Sequence, residues 1–81
     1  MTTEDLIRTA AARGYMHPDV RSLRASHTRL DGSVVSVRLS ETGVPGVRRH
    51  TRAIFYIDGR RVSRATAAVA LQNDEHDRRQ T

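Results

Sequence analysis

Residues 20–41, VRSLRASHTRLDGSVVSVRLSE, decide how this chain folds. Leu23, Ala25 and His27 alternate with Arg24, Ser26 and Thr28. Val35, Val37 and Leu39 then alternate with Ser36, Arg38 and Ser40. This period of two marks two half-buried strands, each with an apolar face and an arginine-bearing face. The loop between them sets whether those faces agree. A two-residue loop at Asp31-Gly32 would set Arg24 against Leu39, sending the apolar sets to opposite sides. A three-residue loop, Leu30-Asp31-Gly32 with Gly32 left-handed in a bulge, pairs Leu23 with Leu39, Ala25 with Val37 and His27 with Val35. The three-residue loop is therefore expected. It places Arg24 beside Arg38 on the wet face, a like-charge pair that an anion would relieve.

Working outward, Thr2-Thr3-Glu4-Asp5 supplies a capping hydroxyl and two carboxylates for a helix start. Leu6, Ile7, Ala10 and Ala11 form its apolar stripe, with Gly14 and Pro18 as stop signals. Beyond the first hairpin, the glycines and proline of residues 41–47 read as a loop that runs on to Arg49 or His50 and leads into AIFYI, residues 53–57. Ala53, Phe55 and Ile57 are assigned to the buried face. Arg52, Ile54 and Tyr56 then join Arg24 and Arg38 on the open one. Asp58-Gly59 turns the chain, Arg60-Arg61-Val62 lead into Ser63 as an N-cap, and Ala65, Ala68, Val69 and Leu71 line a second helix that Asn73 closes.

The expected fold is α+β, in the order α-β-β-β-α: a three-stranded antiparallel meander with both helices on one face. A single domain spans residues 1–73, and the mixed-charge residues 74–81 form a disordered polar tail.

Charge is the most telling bulk property. The 81 residues carry 14 basic and 9 acidic side chains, a formal +5, with a pI near 11.2, and every basic residue is arginine. Between residues 20 and 64, ten arginines face Asp31, Glu41 and Asp58, a net +7, while the segments on either side carry −1 each. A basic patch of this kind suits phosphate, an acidic protein surface or an anionic membrane. Arg24, Arg38, Arg52 and Tyr56 are the expected centre of a binding face, offering planar donors and one ring for stacking. Arg48 and Arg49, behind a Gly-Pro-Gly loop, and Arg60 and Arg61 are expected as backbone contacts. A merely solvated polar face is the plain alternative, against which stand Val34, Ile54 and Tyr56, apolar or aromatic residues on the same side.

Other classes are disfavoured. The chain has no cysteine, and His17, His27, His50 and His76 lack metal-ligand spacing, so neither metal nor cofactor is expected. No nucleophile stands with a base, no carboxylates pair, and no glycine-rich phosphate loop is present, so an enzyme is not expected. No apolar run approaches membrane-spanning length and no signal peptide opens the chain, which points to a cytoplasmic protein.

The helix, three strands, helix order resembles the double-stranded-RNA-binding domain, and SRATAAVAL, residues 63–71, is similar to that family's basic, alanine-rich last helix. The family's lysine pair at the helix start and its Gly-Pro-x-His loop are absent. The three-stranded sheet with its following helix is also similar to the arm-binding domain of phage integrases, which reads DNA through its sheet. The second likeness is one of topology only, and the chain is assigned to neither family.

The leading expectation is a non-catalytic module that binds DNA or RNA through the arginine face. The alternative is a phage- or plasmid-type inhibitor or adaptor, anti-CRISPR-like, that docks on an acidic surface of a host nucleic-acid enzyme. A homodimer burying Val34 and Ile54 is the third.

Overall fold

The computed structural model describes residues 1–16, 22–42 and 50–80. Its elements are α1 (Thr3–Met16), β1 (Ser22–Thr28), β2 (Val34–Thr42), β3 (His50–Ile57), β4 (Arg60–Val62) and α2 (Arg64–Arg79). The strands form one antiparallel sheet in the order β1-β2-β3-β4.

The first hairpin has the expected register. Leu23 pairs with Leu39, Ala25 with Val37 and His27 with Val35. The Arg29 N–H donates to the Ser33 carbonyl at 2.8 Å and the Gly32 N–H to the Arg29 carbonyl at 3.0 Å, closing a three-residue loop. Gly32 has φ +92°, the left-handed bulge position that a Cβ would strain.

The sheet has four strands where three were expected. Arg60-Arg61-Val62 is not a lead-in to α2 but a short edge strand, with Ile57 opposite Arg60 and Phe55 opposite Val62. Asp58 (φ 50°) and Gly59 (φ 83°) both adopt positive φ, as a tight two-residue hairpin turn requires. The Asp-Gly dipeptide was the available signal. Two arginines and one valine are too short a run to show alternation, and charge is what an edge strand carries to deter pairing with other chains. β4 also lengthens the helix, three strands, helix order on which the family likenesses rested.

Both helices cover one face. Leu6 and Ala10 of α1 and Ala67, Ala70 and Leu71 of α2 close on Ala25, Val35, Val37, Leu39 and Phe55. Leu23, Ala53, Ile57 and Val62 pack at the margins. Thr2 caps α1 reciprocally: its hydroxyl accepts from the Asp5 N–H at 3.1 Å, and the Asp5 carboxylate accepts from the Thr2 N–H at 3.0 Å. Ser63 caps α2 as expected, accepting from the Thr66 N–H at 3.1 Å. α1 continues through Gly14 to Met16, two residues beyond the expected stop.

Two expectations for α2 are corrected. Its buried stripe is Ala67, Ala70, Leu71 and Asp74, while Ala65, Ala68 and Val69 are exposed. Alanines on every side leave the stripe's phase ambiguous, and only packing around Leu71 selects it. The helix also runs past Asn73 to Arg79, so residues 74–79 are not a disordered tail. Asp74, 3% exposed, is the reason: its carboxylate is bonded from the first hairpin, which draws the last turns of the helix onto the sheet.

Candidate nucleic-acid interface

The antiparallel register sorts the side chains of the open face into rows. Arg24, Arg38 and Ile54 stand side by side across β1, β2 and β3. The next row holds Ser26, Ser36, Tyr56 and Arg61, and on the far side of the first row Arg52 lies opposite Ser40. Alternation decides the membership, since a strand residue on this face has neighbours on the core face. Of the expected site residues, Arg24, Arg38, Arg52, Arg61 and Tyr56 therefore share one side. Arg60, in register with Ile57, lies on the other. Arg48 and Arg49 lie outside the described residues.

A hollow of about 470 Å³ opens on this face, lined among others by Arg13, Arg24, Val34, Ser36, Arg38 and Tyr56. Arg13 was missed. It belongs to the last turn of α1, whose Leu6 and Ala10 pack on the core face of the sheet, and it lines the hollow together with Arg24. The signal was present in the periodicity. Leu6, Ala10 and Arg13 fall at i, i+4 and i+7 on one side of α1, with Arg13 as the exposed end of that stripe.

Ile54 is a correction. It is 9% exposed, so it is not an open apolar patch. Arg38 stands opposite it, and Arg52 and Arg61 line a second shallow cavity beside it. Aliphatic stems of arginines so placed can shield an apolar neighbour while their heads stay wet. Val34 and Tyr56 are half-buried. The apolar argument for a homodimer loses its main residue.

The arginines divide into two populations. Arg8, Arg29, Arg64, Arg78 and Arg79 are engaged with Asp5, Asp31, Glu4, Asp74 and Glu75, all on helices or at the first hairpin loop. Among the described residues, Arg13, Arg24, Arg38, Arg52 and Arg61 have no carboxylate partner and no hydrogen bond to protein, and neither has Arg60, which lies on the other side of β4. Arg38 is half-buried and its Nε is shut from solvent with no acceptor, a condition it shares with the Nε of Arg29 in the paired group. A desolvated guanidinium donor left unsatisfied costs on the order of 1–3 kcal/mol.

The chain matches no protein-family model, no curated protein and no solved structure. Among the described residues, no group of three His, Cys, Asp or Glu is placed to hold a metal ion, and no helix is long and apolar enough to cross a membrane.

Behind the open face, one polar cluster braces the sheet. Asp74 accepts from the Leu30 N–H at 2.7 Å, from His27 Nε2 at 2.9 Å and from Arg78 Nε at 2.9 Å. Arg78 also donates to the Thr28 carbonyl at 3.0 Å. The His27 bond, the Leu30 amide and Arg78 hold the Asp74 carboxyl well below the usual carboxylate range, against the opposing effect of burial. Because the folded value is depressed, the stabilisation is complete above the unfolded carboxylate pKa, about 3.9. It is lost as pH falls below that value toward the folded one. Urea midpoints measured from pH 5 downward should fall through this window, and Asp74→Asn should flatten the slope. An unchanged slope in that variant would assign the acid sensitivity elsewhere.

Proposed function

We propose that this protein is a small, non-catalytic nucleic-acid-binding module that uses its open sheet face. One observation carries the reading: guanidinium groups from β1, β2, β3 and β4 share a side with no carboxylate partner, whereas the paired arginines lie on the helices and at the loop. Arg24 and Arg38, directly opposite in register, have Cβ atoms about 5 Å apart, and mutual repulsion there disfavours the sheet unless an anion sits between them. Phosphates of a nucleic-acid backbone supply that charge repeatedly along a line, and the serines of the neighbouring row can donate to phosphate oxygens.

Binding of this kind is dominated by release of counterions, so affinity falls linearly on a log–log plot against salt. Anisotropy titrations of labelled DNA and RNA across a salt series should show a steep negative slope. Arg24→Gln should reduce it by about one. Affinity insensitive to salt sinks the proposal. A stoichiometric protein partner retained after nuclease treatment, with no measurable affinity for either nucleic acid, would instead support docking on an acidic protein surface.

A further inference from the structure

We infer that the face takes unpaired rather than duplex nucleic acid, with a phosphate held by Arg24 and Arg38 and the adjoining base lodged in the hollow against Tyr56. The inference rests on the nucleic-acid reading above and names the form of nucleic acid at the same face.

Three features argue for it. The first is shape. A sheet that reads a major groove must push a ridge of side chains into the duplex, but here the guanidinium groups flank a depression of about 470 Å³. That volume lies within the range of roughly 300–1,000 Å³ typical of pockets that enclose a small molecule. A stacked, paired base cannot enter such a depression without being flipped out, at an unstacking cost that an unpaired base does not meet. The second is the lining. Val34 and Tyr56 give the depression an apolar and aromatic side, and Arg13, Arg24, Ser36 and Arg38 a polar one. Bare phosphate has no use for the former, whereas a nucleotide, with an anionic end and a flat π-faced end, matches both. The third is spacing. Tyr56 pairs with Ser36, so it is the diagonal neighbour of Arg38, about 7–8 Å away on an antiparallel sheet. One nucleotide bridges a separation of this order between its phosphate and its base. The Arg38 Nε is buried without an acceptor, as is that of Arg29 at the first hairpin loop, and Arg38 stands directly opposite Arg24 in the row proposed to hold the phosphate.

The test compares one labelled mixed-sequence 12-nucleotide strand, as DNA and as RNA, with its own duplex at fixed salt, using wild type, Tyr56→Phe and Tyr56→Ala. Either single strand should bind about tenfold or more tighter than the duplex. Tyr56→Ala should lose about tenfold on the single strand and markedly less on the duplex, while Tyr56→Phe, which keeps the ring, retains single-strand affinity. Equal or tighter duplex binding, or loss of single-strand affinity in Tyr56→Phe equal to that in Tyr56→Ala, overturns the inference and leaves the nucleic-acid reading standing. Absence of binding to every one of these probes overturns both.

Discussion

Asp74→Ala is expected to lower folding stability by about 3 kcal/mol, because it removes a buried acceptor from three donors at once, two of them side chains of His27 and Arg78. A chain of this size is stabilised in total by only about 4–12 kcal/mol, so the loss is large. The melting temperature should fall by about 12–24 °C. The mechanism is specific: the Leu30 amide, at the start of the three-residue loop, has Asp74 as its acceptor, and without it the hairpin loses its tie to α2. Asp74→Asn keeps an acceptor for that amide and removes the charge, so it should cost about half as much. Removing residues 74–81 should destabilise the protein at least as far as Asp74→Ala does. Urea unfolding of the three variants checks the series, and wild-type midpoints in all of them would show that the cluster does not brace the fold.

Replacing both Arg24 and Arg38 with glutamine should move binding and stability in opposite directions. Affinity for nucleic acid should fall about a hundredfold, or about 3 kcal/mol, and the salt slope by about two. Folding stability should rise by about 0.2–1 kcal/mol, since like charges directly opposite on neighbouring strands repel. Residues kept for the fold's sake would behave otherwise, with stability falling and binding unmoved. Matched unfolding and anisotropy titrations on the same preparations separate the outcomes.

The sheet's two faces were legible because strand alternation is a local property. Leu23, Ala25, Val35, Val37, Leu39, Phe55 and Ile57 declare the inner side, and the requirement that apolar sets agree across strands selects the three-residue loop. Arg24, Arg38 and Arg52 follow from the same alternation. β4 was not legible in this way, because three residues hold too little alternation to distinguish a strand from a helix approach. Asp58-Gly59, read as a hairpin turn, would have implied it. The phase of α2 was hidden by its alanines, which tolerate burial and exposure alike, so neither the stripe nor its end at Arg79 could be placed from composition.

By itself, then, the order of residues determines an α+β chain with a cationic side, because alternation, caps and turn glycines act between near neighbours. Tertiary structure alone decides which arginines remain unpaired, that Arg13 reaches the hollow, that Ile54 is covered and that a carboxylate from α2 ties down the first hairpin. These depend on contacts between residues distant in sequence, such as Asp74 with Leu30 and His27, which no local pattern encodes.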